Sequence, residues 1–230
     1  MKDIYLTNYS VKGIKTLDKT VSLSFYKKTI NKEPDTQEYN IKGIYGMNGS
    51  GKSGIVTSVE ILRNLIIDTG YLNNPITQNH LDAIVNKKVG KLSLEAEFMA
   101  KSGGELLLYQ YEVTLSKNKT GKFTIAQECL KGKKATLKSS SLEKIYEVCD
   151  GEIIFIYVSE EENGFVAEIR NKTMNLLSTG SVSALIYDKL LCAGSDNYFL
   201  YRKDKVAQVI MNAVGMLFAL GRKLHVYLDE

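Results

Sequence analysis

The sequence predicts an α/β protein: a phosphate-binding loop between a strand and a helix, then an antiparallel β-lobe, then C-terminal helices. Three observations carry that expectation. Gly46, Gly51, Lys52 and Ser53 stand at the G-x-x-x-x-G-K-[ST] spacing of a P-loop. Apolar residues alternate with polar ones in three successive runs between 92 and 130. After Thr173 the apolar positions recur at helical intervals instead.

Taken in chain order, Ile4 and Leu6 alternate with polar neighbours over residues 2–9, and Val21, Leu23 and Phe25 repeat the period of two after a turn at Gly13. A polar loop follows from Lys27 to Tyr39. Ile41 and Ile44 then lead into the P-loop as its preceding strand. From Ser53 to about Asp68 the spacing of Ile55, Val59, Leu62, Leu65 and Ile66 is that of one helix face. LSLEAEFMA (92–100), ELLLYQYEVTLS (105–116) and GKFTIAQECL (121–130) read as a meander, with turns at Gly103-Gly104 and at 118–121. EIIFIYVS (152–159) is apolar nearly throughout, as a strand buried on both faces would be. Leu176, Leu177, Leu185, Ile186, Leu190 and Leu191 mark helical chain, and a last helix spans roughly Asp204 to Leu220. Its Val206, Ile210, Ala213, Leu217, Leu220 and Leu224 step by 4 and 3; packing on a core and the start of a coiled coil both fit that pattern.

At 230 residues and 44% hydrophobic composition there is enough apolar material for one substantial domain. We divide 1–230 into strands, P-loop and first helix (1–70), β-lobe (90–160) and helical part (173–230). The 2 prolines, Pro34 and Pro75, leave no low-complexity linker. A net charge of +4 permits nucleic-acid contact without arguing for it. Cys129, Cys149 and Cys192 are odd in number and lack a C-x-x-C pair, so reduced thiols are expected rather than a zinc site or disulfides. MKDIYLTNYS has no apolar signal core, and no run of 18 apolar residues occurs. A cytoplasmic protein with no membrane partner is the expectation.

The P-loop chemistry needs these residue types. Gly46, Gly49 and Gly51 let the backbone curl so that N–H groups face an anion. Asn48 and Ser50 fill the loop between them. Lys52 supplies a compact charge between the β- and γ-phosphates, and the Ser53 hydroxyl is placed to ligate Mg²⁺. A helix starting at Ser53 aims its positive end at the same point. A GTPase would also carry N-K-x-D; NKKV at 86 and NKTM at 171 both lack the Asp, so ATP is the expected nucleotide.

GMNGSGKS (46–53), preceded by LTNYSVKGIK (6–15), resembles the SMC and RecF-like branch of the ABC ATPases. It is also similar to the related AAA-type ATPases of bacterial phage-defence and abortive-infection systems, including the OLD-like group. The resemblance is specific over 1–68, moderate through the β-lobe and weak beyond 150. It implies a P-loop NTPase core of ABC/SMC-head type that binds ATP and Mg²⁺, and an ATP-driven homodimer or higher oligomer that controls a nuclease or toxin effector, or DNA or RNA. Lys12 or Lys15 would reach the phosphates from the first turn. LLSTGSVSAL (176–185) is the one signature-like string, although Ser178 or Thr179 there would serve equally as a helix cap. LHVYLDE (224–230) resembles a Walker B strand, in which Asp229 would hold the Mg²⁺ shell and Glu230 would polarise water. Gln110 and Gln127 are both Q-loop candidates. Lys117, Lys119, Lys122, Lys131, Lys133, Lys134 and Lys138 would meet a nucleic-acid backbone or simply keep hairpin tips solvated. The 160–162 glutamates read as a solvated turn. With no complete set of ABC motifs, the chain is expected to be the N-terminal portion of a longer ATPase.

Overall fold

A computed structural model describes residues 4–25, 42–135, 141–156, 176–186 and 205–226. Seven strands, β1 (Ile4–Lys12), β2 (Val21–Ser24), β3 (Lys91–Ser102), β4 (Glu105–Lys117), β5 (Phe123–Lys134), β6 (Glu143–Cys149) and β7 (Glu152–Ile156), form one sheet in the order β2-β1-β3-β4-β5-β6-β7. Every neighbouring pair is antiparallel. The helices are α1 (Lys52–Ile67), α2 (Pro75–Ile84), α3 (Val182–Ile186) and α4 (Lys205–Lys223), with a 3₁₀ turn at Tyr71–Asn73 before α2.

The alternation seen in the sequence becomes the two faces of this sheet. Leu92, Leu94, Ala96 and Phe98 on β3 stand opposite Leu115, Val113, Tyr111 and Tyr109 on β4, and all are buried. Phe98 and Tyr109 stack with ring centroids 5.2 Å apart, an offset pairing that adds to their burial. On the other face β3, β4 and β5 carry polar pairs: Gln110 donates to Glu95 (2.6 Å), Lys131 to Glu112 (2.6 Å), and Thr114 meets Ser93 (3.1 Å). The apolar face packs against Ile61, Leu62, Leu65 and Ile66 of α1 and Ile210, Val214 and Leu217 of α4 in one continuous core. A buried bond from Tyr9 Oη to Ser58 Oγ (2.7 Å) ties β1 to α1. Among the described residues no helix is long and apolar enough to cross a membrane.

α4 therefore lies on the core, the first of the two arrangements its spacing allows. It packs tightly on α1 at Gly221, where an added Cβ would stand 2.7 Å from Ile66 Cγ2 and 2.8 Å from Ile67 Cγ2. Gly221→Ala must push the helices apart, so we expect a loss of about 1–3 kcal/mol, read from the urea midpoint at unchanged slope.

The architecture is mixed α/β with an antiparallel sheet, and it departs from the expectation in four places. Of the strand expected to enter the P-loop at 41–44, residues 42–44 belong to none of the seven strands and Ile41 lies outside the described residues; a strand exists only through a partner, and none of the seven pairs with 42–44. β1 joins β3 directly, so the first strands and the β-lobe form one sheet rather than separate regions. β6 and α2 were not anticipated. β7, expected to be buried on both faces, is the outermost strand of the described sheet, and its Ile154 is 59% exposed.

Candidate functional site

The loop 46–51 is held between the turn after β1 and the start of α1. Gly49 and Gly51 take left-handed backbone (φ 81° and 91°), which L-residues enter only at a cost. Gly51 also packs against Leu17: a Cβ there would stand 2.6 Å from Leu17 Cδ2. Ser50 N donates to Met47 O (3.2 Å), closing the turn. Gly51→Ala combines the backbone strain with this clash. It should displace the loop and lower phosphate affinity by about tenfold or more, measurable by anion competition against a fluorescent nucleotide.

No side chain caps α1, whose N-cap is Gly51, and its first backbone bond runs from Ile55 N to Gly51 O (3.1 Å). The N–H groups of the first turn are therefore left for a ligand, where the helix dipole favours negative charge. In front of them is a cleft of about 270 Å³ lined by Lys15, Thr16, Asn48, Gly49, Gly51, Lys52 and Ser53. Among the described residues two ammonium groups line it and no carboxylate does. Lys52 Nζ donates to the carbonyls of Gly46 and Met47, the latter at 2.8 Å, which bends its side chain back across the loop. Gly46 allows this close fold: a Cβ would meet Ser50 Oγ at 3.1 Å.

Of the residues singled out from the sequence, Asn48, Gly49, Gly51, Lys52 and Ser53 line the cleft, and Gly46 and Ser50 form the loop around it. Lys12 does not line it; it lies on β1 opposite Ser93. Lys15 takes that place. Its left-handed backbone (φ 48°) is pinned by Lys15 N to Ile84 O (2.6 Å) and by Asn86 Nδ2 to Lys15 O (2.7 Å), and its Nζ donates to Ser53 Oγ (3.1 Å). Thr16 was not anticipated, and no sequence pattern marks it.

Other candidates are not brought to the cleft. Gln110 and Gln127 donate to Glu95 and Glu147 on the sheet's polar face. Lys117 pairs with Asp82, Lys131 with Glu112 and Lys134 with Glu105, so three of the lobe's lysines already serve carboxylates of this chain. Lys119 and Lys122 are exposed. Lys138, the 160–162 glutamates, Cys192, Asp229 and Glu230 lie outside the described residues.

The signature-like string is only partly buried, with Leu176, Ser178 and Thr179 half-buried. Residues 180–186 are all buried. The cap of α3 is Ser181 rather than Ser178 or Thr179: Ala184 N donates to Ser181 Oγ (3.1 Å), which in turn donates to Leu65 O of α1 (2.7 Å). Below it Glu128, fully buried on β5, accepts from Tyr111 Oη (3.0 Å), Tyr146 Oη (2.8 Å) and Val182 N (2.9 Å). Burial pushes its carboxyl up to about 7, against the lowering pull of those donors. Alternation along β5 gave no hint of it, because a glutamate in a strand reads as solvent-facing.

The residues fit a polyphosphate: uncapped N–H groups, two lysines and a glycine cradle face one cleft. For a divalent cation the described lining offers only neutral oxygens, those of Ser53, Thr16 and Asn48, and among the described residues no cluster of three His, Cys, Asp or Glu could hold a metal. Such a cation would therefore be held jointly by Ser53 and the phosphates. No protein-family model matches the chain, and no curated protein matches it.

Proposed function

We propose that this chain is an ATP-binding and ATP-hydrolysing ABC/SMC-like ATPase, cytoplasmic, whose nucleotide state controls its own dimerisation and an effector or nucleic-acid partner, with phage defence as its setting. The observation that carries the reading is the glycine loop opening onto the uncapped N-terminus of α1, with Lys52, Ser53 and Lys15 around one cleft. In that role the first-turn N–H groups and Lys52 hold the triphosphate, and Ser53 shares its Mg²⁺, which supplies charge neutralisation at the β- and γ-oxygens when bound. Lys15 adds a second charge from the β1 turn. Asp229 and Glu230 are the proposed carboxylates for the metal shell and the attacking water.

Light scattering of the ATP-loaded chain tests the oligomer. Doubling of mass with ATP, reversed on turnover, supports the clamp; a monomer at saturating ATP speaks against it. A second reading is a chain that holds ATP without hydrolysing it and restrains a toxin or nuclease as a scaffold. Phosphate release separates the two: repeated turnover per chain supports the ATPase, whereas occupied sites without release support the scaffold.

A further inference from the structure

The Ser53 hydroxyl is expected to bind a divalent cation, yet in this structure a cation of the chain itself engages it. Lys15 Nζ donates to Ser53 Oγ at 3.1 Å. The backbone that carries this lysine is fixed. Lys15 N is bonded to Ile84 O (2.6 Å), Lys15 O receives Asn86 Nδ2 (2.7 Å), and the residue is held at φ 48°. Its stem lies on the first turn of α1 at Gly54, where even a Cβ would come within 3.7 Å of Lys15 Cβ. Lys52, the other ammonium of the cleft, is drawn to Gly46 O and Met47 O instead. Ser53 thus has its own lysine, at the position that metal and phosphate must share.

We propose that Lys15 gates divalent-cation entry at Ser53: its ammonium holds the hydroxyl until a triphosphate draws it away, so nucleotide binds first and the metal second. This rests on the phosphate-cradle reading of the site and adds an order to it. An ammonium 3.1 Å from the hydroxyl repels a bare Mg²⁺ but attracts a phosphate oxygen. Before the metal arrives Lys15 acts as the counter-ion of the incoming anion, so the chain keeps affinity for nucleotide without metal. Once Lys15 has moved onto phosphate, the hydroxyl is free to ligate.

The test is a set of ATP titrations of the full chain and of Lys15→Met and Lys15→Arg, each in Mg²⁺ and in EDTA, with circular dichroism to confirm folding. Lys15→Met is expected to lose about tenfold or more in EDTA, and less than about threefold in Mg²⁺, where the metal replaces the missing charge. Lys15→Arg should restore much of the metal-free affinity, because it keeps the charge. Equal losses of Lys15→Met in both buffers would overturn the gating and leave Lys15 an ordinary phosphate contact. Unchanged affinity in both would overturn it as well. Failure of the unaltered chain to bind ATP in either buffer would instead remove the phosphate-cradle reading, and the gating with it.

Discussion

Replacing Lys52 with alanine is expected to weaken Mg²⁺–ATP binding by about a hundredfold or more, with no loss of fold. The size follows from what the side chain does. Its ammonium is held over the loop by the carbonyls of Gly46 and Met47, and the residue lines the cleft beside Asn48 and Gly49. There it would contribute charge-assisted hydrogen bonds to two phosphates, each about twice as strong as a neutral one. Lys15 does not compensate, because it approaches from the β1 turn and engages Ser53. Folding should survive because Lys52 is not part of the core. Isothermal calorimetry on both proteins measures the change, and equal affinities would remove Lys52 from the site.

The second large effect concerns Glu128 and stability. Glu128→Ala leaves the Tyr111 and Tyr146 hydroxyls and Val182 N without their buried acceptor, at about 1–3 kcal/mol for each stranded group. The sum is comparable with the whole margin of a domain, so the variant should unfold at far lower urea or fail to fold. Glu128→Gln is the informative partner. The native carboxyl is pushed up from its ordinary 4.5 to about 7, so between those values the folded chain holds a proton that the unfolded chain has released. Stability is then fullest below about 4.5 and falls as pH rises through 7, by on the order of 3 kcal/mol.

Glutamine does not titrate, so Glu128→Gln should flatten the profile, even though its amide has one acceptor oxygen where the carboxylate has two and lowers stability overall. Asp18, Asp82 and Glu147 act in the opposite sense: lysine partners hold their carboxyls below the ordinary value, so their contribution is lost as pH falls. All three are near the surface and screened, and their window lies below that of Glu128. Urea melts at pH 5, 6 and 7.5 measure the slope; a native profile that is flat or rises through this range contradicts the account.

The parts of the fold that were legible had strong local signals. β3, β4 and β5 were fixed by alternation and by turns at Gly103-Gly104 and 118–121, and α1 by a stripe that is buried as expected at Ile55, Leu62, Leu65 and Ile66. β6 escaped because Ile145 and Tyr146 are both buried, breaking the period of two near a register shift against β5. α2 buries only Thr77, Leu81 and Ile84, too few apolar positions for a stripe. Its start was nonetheless written in Asn74 and Pro75, which cap and open it.

The long apolar run of β7 suggested burial, but strand order is a tertiary property and placed it outermost. The strand expected at 41–44 rested on two isoleucines and on what a P-loop usually follows; neither supplies a pairing partner. In the site, spacing alone identified the glycine loop. Choosing Lys15 over Lys12 required knowing that β1 ends at Lys12 and that the chain then turns through left-handed backbone at Gly13 and Lys15, which no periodicity reveals. Glu128 was invisible for a related reason: its three donors come together only when β4, β5, β6 and α3 assemble.

The central claim is that residues 46–53 form a working triphosphate site. The most direct test is a calorimetric titration of the purified chain with ATP in Mg²⁺, repeated with GTP and with Lys52→Ala. The account predicts saturable binding at one site per chain, tighter for ATP than for GTP and lost in the variant. No heat of binding with either nucleotide, or binding that survives in Lys52→Ala, would contradict it.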